Sequence, residues 1–228
     1  MESVKGLFRP LESRARLVTI FFWCYAAISA VAILAVIAAL MIGVNLYSDV
    51  SVSVEDTPPG MAALLVSGIA LILYAIIYVI CIVVFLMWLY RARGNLPALG
   101  VTDARWSPRW SIAWWFIPIM SLFRPYQVVK ETWQASDPAT SPGWRRDVPP
   151  AIFGWWWGLF LVDSIGSNVT ERMSTRMGGS PSFDRAVTFT FIDVAVLMIG
   201  IGSALCAMRI VKDITARQTQ RYQVGTFA

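Results

Sequence analysis

Residues Arg105–Trp133 read RWSPRWSIAWWFIPIMSLFRPYQVVKETW, and the fold turns on what this stretch does. It holds five of the eleven tryptophans, three prolines and charges of both signs. Its apolar heart, Trp110–Phe123, is interrupted by Pro118. At roughly 1.5 Å per residue it reaches about 20 Å, against a hydrocarbon layer of about 30 Å. It is too short to cross a bilayer, yet it lies between apolar runs that are long enough.

The composition sets the class. Of 228 residues, 57% are hydrophobic and 14% charged, which places the chain among integral membrane proteins. The net charge of +5 does not imply nucleic acid, because the basic residues cluster beside apolar runs, where membrane orientation accounts for them. No histidine is present, so the commonest general base, metal ligand and haem ligand are missing. Cys24, Cys81 and Cys206 lie in apolar segments without CxxC spacing and read as packing residues. No cofactor is expected. The excess of arginine over lysine suggests a GC-rich bacterial genome.

Four spans are expected, at about 17–47, 61–90, 151–169 and 186–208. The first is too long for a signal-peptide core and reads as retained. Along it Ala35, Ala39 and Gly43 form a small-residue stripe suited to helix packing. The loop 48–60 holds three acidic and no basic residues, whereas 91–150 holds eight basic and four acidic. The positive-inside bias therefore puts 91–150, the tail 1–16 and the basic tail 209–228 in the cytoplasm. Arg172, Arg176 and Arg185 around the last loop weaken this bias without reversing it. A fifth crossing at Trp110–Phe123 would move Arg124, Lys130, Arg145 and Arg146 to the other side, a second reason against it.

Residues 105–136 then form a helical hairpin on the cytoplasmic side. In the first arm Trp110, Trp114 and Ile117 share a face, with Arg105 and Arg109 at one end and Arg124 at the other. Pro125 opens a second, amphipathic arm, with Tyr126, Val129 and Trp133 on one face and Gln127, Lys130, Glu131 and Gln134 elsewhere. The hairpin is either re-entrant or interfacial; the preference of Trp and Arg for the headgroup layer favours interfacial. A weak echo links Pro108 with Trp114–Trp115 to Pro149 with Trp155–Trp156 at equal spacing.

The residues Arg91-x-Arg93-x-Asn95, Leu99-Gly100, Ser107-Pro108-x-Trp110, Trp114-Trp115-Phe116-x-Pro118, Arg124-Pro125-Tyr126 and Glu131-x-Trp133 resemble the signature of the bacterial membrane family called domain of unknown function 4328. The resemblance is strongest from Arg91 to Ser136. It implies a multi-span protein of the bacterial inner membrane and brings no reaction and no catalytic residue.

Inside the spans, Asp163 and Asp193 stand out, with Asn168 extending the polar face. A carboxylate at mid-span costs roughly 2.5–3.5 kcal/mol on insertion scales, so it needs a partner or water. In antiparallel helices the two aspartates would lie at similar depth. They form either a cation or proton site or a structural cluster paired with Arg172, Arg176 or Arg185, and the structural cluster is favoured. Enzyme readings are weaker. A Ser–His hydrolase needs histidine, no Gly-x-Gly-Asp motif surrounds either aspartate, and Gly200-x-Gly202 in an apolar run is helix packing rather than a phosphate loop.

The expectation is an all-α integral membrane protein in one domain, with four spans plus an interfacial or re-entrant Trp/Pro hairpin. Its role would be a non-enzymatic interaction or accessory module that docks on lipid headgroups or on a partner membrane protein, with the lipid bilayer, and either anionic lipid or a membrane protein, as partners. The alternative is an oligomeric ion or small-solute pathway through Asp163 and Asp193, which would make the chain a homo-oligomer.

Overall fold

The computed structural model describes residues 8–47, 58–137, 147–176 and 183–227. Within its helices, the side chains of 39–47, 58–68, 71, 169–171, 173–176, 183–186 and 225–227 lie outside the description. The order of elements is α1 (Glu12–Tyr47), α2 (Pro58–Gly94), a 3-10 turn (Pro97–Leu99), α3 (Pro108–Ala113), a 3-10 turn (Met120–Leu122), α4 (Arg124–Ala135), α5 (Ile152–Arg176) and α6 (Phe183–Phe227). Among the described residues there is no strand, so the all-α class is observed.

Among the described residues three helices are long and apolar enough to cross a membrane, over Glu12–Ala38, Ile72–Gly94 and Val187–Val224. Four were expected. The missing one is 151–169, which does lie in a 25-residue helix, α5. Its three consecutive tryptophans, Trp155–Trp157, together with Asp163, Ser164, Ser167 and Asn168, interrupt its apolar run.

The last helix also departs from expectation. The apolar run was expected to end near Met208 and to release a basic tail, but α6 continues for 45 residues to Phe227. Asp213, Arg217 and Arg221 recur every four residues and so share one face of its final turns.

The chain divides into two compact units, each treated by itself. The first consists of the described parts of Met1–Phe22, Cys81–Gly158 and Ser203–Ala228. Its core includes Leu11, Val18, Trp88, Leu89, Val128, Phe153, Ile210 and Ile214, all fully or almost fully buried. The second consists of the described parts of Trp23–Ile80 and Leu159–Gly202.

Local chemistry sets the connections in the first unit. After α2 the chain turns at Gly100, whose φ of 81° is a left-handed conformation that glycine adopts without strain. The Gly100 N–H donates to the Pro97 carbonyl, and Val101 donates to Leu96. Leu96, Val101 and Ala135 then pack as a small cluster. Ser107 caps α3, its hydroxyl accepting from the Trp110 N–H, and Pro108 stands in the first turn, where no donor is needed.

Candidate functional site

The hairpin stretch resolves into a buried anchor and an exposed tip. α4 is the anchor. Pro125, Val128, Val129 and Thr132 follow the i, i+3, i+4, i+7 stripe and are buried, but so are Glu131, Trp133, Gln134 and Ala135. An arm lying in the headgroup layer with one wet face was expected; α4 is instead enclosed by its own unit. Its polar residues are buried because each has a partner. Glu131 Oε2 lies 3.0 Å from Arg93 Nη1, and Glu131 Oε1 accepts from the Arg105 N–H at 2.9 Å. Arg93 Nη2 donates to the Trp106 carbonyl. One ion pair thus joins the end of α2, the entry to the hairpin and α4.

A second set of bonds ties α6 to the same elements. The Asn95 amide accepts from the Arg9 N–H at 3.1 Å and donates to the Arg9 carbonyl at 2.8 Å, pairing with that residue as a neighbouring strand would. Asn95 also donates to Gln218 Oε1, while Gln218 Nε2 donates to the Ala92 carbonyl and to the Ser136 hydroxyl. Trp133 Nε1 donates to Asp213 at 2.6 Å, and the Arg217 guanidinium lies 4.0 Å from the Trp133 ring centroid. Arg217 also pairs with Asp137 at 3.0 Å, and Arg221 donates to the Ala135 carbonyl. From the sequence Arg217 and Arg221 read only as part of the basic tail, and Gln218 and Asp213 were not singled out. The available signal was the four-residue spacing of Asp213, Arg217 and Arg221 on a single helix face.

The tip runs from Trp110 to Phe123. α3 ends at Ala113, so the apolar arm is a single helical turn and a half followed by turns. At Ile119 the φ of 64° and ψ of −52° match a γ-turn, closed by the Met120 N–H donating to the Pro118 carbonyl at 2.6 Å. A β-branched residue in that region is strained. Phe116 is 71% exposed, Ile119 70% and Phe123 58%, and Ile117, Pro118, Met120 and Leu122 between them are exposed too. The tip is fastened where Trp157 Nε1 donates to the Leu122 carbonyl at 3.0 Å.

The tryptophans of the tip separate by direction. Trp114 packs on Trp110 at 4.9 Å, whereas Trp115 meets Phe85 and Trp157 edge-on at 5.7 and 6.0 Å. The Pro–Trp–Trp echo has a counterpart here, since Trp156 also reaches Phe85, at 5.9 Å, while Trp155 is exposed. The second tryptophan of each pair therefore packs on the same phenylalanine. Tyr126, after Pro125, is half-buried.

The polar residues of the expected spans lie in the second unit. Asp163 is buried, whereas Asp193 and Asn168 are exposed. The Asn168 amide donates to the Ser164 carbonyl within its own helix, and the Ser167 hydroxyl bonds the Asp163 carbonyl in the same way. Around Asp163 the structure gathers a group that the sequence did not: Tyr25, Tyr74 and Tyr78. The Tyr25 and Tyr74 hydroxyls are 3.2 Å apart, and the three rings lie with centroids 5.7 to 6.5 Å from one another. Gly200 completes the group. A Cβ there would run into the Tyr25 hydroxyl and would lie 3.0 Å from Asp163 Oδ1. Gly200 is thus a packing glycine inside a helix. Arg176 and Arg185, weighed as partners of Asp163, have side chains outside the described residues, as do Ala39 and Gly43 of the small-residue stripe.

Among the described residues no group of three or more Cys, Asp or Glu side chains is placed to hold a metal ion. No curated protein and no solved structure matches the chain. The family described as Domain of unknown function (DUF4328) matches residues 60–216, which takes in α3, α4 and α5 entire together with most of α2 and the apolar part of α6. The resemblance seen in the motif residues and this match over more than two thirds of the chain agree, and the protein belongs to the DUF4328 family.

Proposed function

We propose that this protein is a non-enzymatic membrane module that docks through the tip at 116–123 on the bilayer or on a partner membrane protein. One observation supports this above others: a run of large apolar side chains stands exposed at the end of a rigidly anchored hairpin, and a contiguous apolar patch of that kind marks an interaction surface. The anchor matters because a tip on a loose loop would lose ordering entropy on docking. Here the Arg93–Glu131 pair and the α6 bonds hold its base. On this reading α5 crosses as a fourth span, since 25 residues extend about 38 Å at roughly 1.5 Å each. Both termini and the tip then lie on the cytoplasmic side of a bacterial inner membrane.

The test is replacement of Phe116, Ile119 and Phe123 together by serine, followed by purification in mild detergent and native mass spectrometry. Wild-type protein should retain lipid or a stoichiometric membrane partner that the triple variant loses. Equal retention by both would refute docking through the tip. Cysteine labelling at Ser121 and Ala139 gives the topology, and protection of both from an external reagent is expected.

A second reading, an oligomeric cation pathway, draws on the burial of Asp163 beside Tyr25. With Asp193 exposed, it rests on Asp163 alone. Unchanged proteoliposome flux in Asp163→Asn would dismiss it.

A further inference from the structure

We infer that Arg124, in cation–π contact with the indoles of Trp106 and Trp114, is a binding site for the phosphate of an anionic phospholipid at the neck of the tip. The inference rests on the reading of the tip as a docking element and names the partner it selects. The Arg124 guanidinium lies 5.7 Å from the Trp106 ring centroid and 5.5 Å from that of Trp114. Arg105 lies 5.4 Å from the same Trp106 ring. Cation–π contact uses none of the guanidinium N–H groups, so those not otherwise bonded can reach the oxygens of a phosphate. One of them is taken, since Nη1 donates to Gln127 Oε1 at 3.0 Å. Among the described residues no carboxylate pairs with Arg124.

A further donor is present. Trp114 Nε1 is buried and has no hydrogen-bond partner among the described residues. Arg109, exposed on α3, is a further positive charge in the hairpin. The nearest acid of α4, Glu131, is already engaged by Arg93 and the Arg105 N–H.

The arrangement favours lipid over protein as the occupant. From Phe116 to Phe123 the only polar side chain is Ser121. A protein partner needs a polar rim with hydrogen bonds around such a patch, whereas acyl chains need none. With apolar residues at the tip and guanidinium groups directly behind them, one phospholipid satisfies both halves at once. Arg124 and Arg105, on the same Trp106 ring, select a headgroup with net negative charge.

The experiment uses the full chain, with its cysteines replaced and Phe116→Cys carrying a spin label. It is reconstituted in vesicles of phosphatidylcholine alone or mixed with phosphatidylglycerol. Label depth is read by collisional relaxation, and retained lipid by native mass spectrometry. The label should sit at hydrocarbon depth in both mixtures. Phosphatidylglycerol should be retained over phosphatidylcholine by at least about fivefold, the ratio expected for each arginine at an anionic surface, and Arg124→Gln should lower that preference by about fivefold. Arg124→Lys keeps the charge but not the planar fork and should also lower it. Arg16→Gln, an exposed arginine away from the neck, should leave it unchanged. No enrichment in the wild-type chain, full retention in Arg124→Lys, or an equal loss in Arg16→Gln would overturn the site while leaving the docking reading intact. A label in water in both mixtures would overturn docking on the bilayer and the site with it.

Discussion

Arg93 Nη1 lies 3.0 Å from Glu131 Oε2, and the arginine side chain is fully buried. Two motif residues that read as parts of a membrane-surface signature are thus a single interior ion pair. Such a pair contributes little over a well-packed apolar replacement, because desolvation offsets the attraction; removing one member strands the other's charge. Arg93→Met or Glu131→Met alone should lower stability by about 3–5 kcal/mol. The double replacement should recover most of that loss. Thermal unfolding in detergent, read as a double-mutant cycle, checks the coupling.

Gln218 is fully buried, and its amide bridges Ala92, Asn95 and Ser136. Gln218→Leu removes these bonds at nearly constant volume, while Asn95 keeps Arg9 and Ser136 keeps the Thr132 carbonyl. The expected loss is about 1–3 kcal/mol for an unsatisfied buried group. Limited proteolysis should show earlier cutting within α6 after Met208, because these bonds hold its polar extension.

Trp133 separates packing from hydrogen bonding. Trp133→Phe keeps a ring beneath Arg217 and against Phe153 but loses the donor to Asp213. It should lower stability by about 1–2 kcal/mol, and Trp133→Ala by about 3–5 kcal/mol. Asp137→Asn weakens a partly exposed ion pair with Arg217 and should change stability by less than about 1 kcal/mol through that pair.

Gly200 and Gly202 lie on one helix and predict opposite tolerances. A Cβ on Gly200 meets the Tyr25 hydroxyl and the Asp163 carboxylate, so Gly200→Ala should destabilise by about 1–3 kcal/mol. A Cβ on Gly202 lies 3.4 Å from Leu159 Cδ1, within ordinary contact, so Gly202→Ala should be neutral or slightly stabilising. Tyr25→Phe in the Gly200→Ala background should recover part of the loss by removing the blocking hydroxyl.

Ile119 carries its positive φ at the apex of the tip. Ile119→Gly should relieve strain of about 1–3 kcal/mol. Unfolding temperature in detergent should therefore rise, although the variant loses an exposed apolar side chain from the tip.

Hydropathy and punctuation are local sums, and so the sequence carried the helical class, the apolar runs of α1, α2 and α6, and the shortness of Trp110–Phe123. Pro108, Gly100 and Pro125 marked real boundaries, because their backbone constraints act wherever they occur. The family could be read from motif residues lying close together in the chain. Partners could not. Arg93 and Glu131 are 38 residues apart, Trp133 and Asp213 are 80, and Asn95 and Gln218 are 123. Burial of a polar side chain depends on which distant group meets it. Only the tertiary structure therefore turned the amphipathic arm into a buried anchor and the basic tail into its clasp. The same dependence separated the two aspartates, with Asp163 buried beside Tyr25 and Gly200 and Asp193 exposed, although along the chain each is one acid in an apolar run.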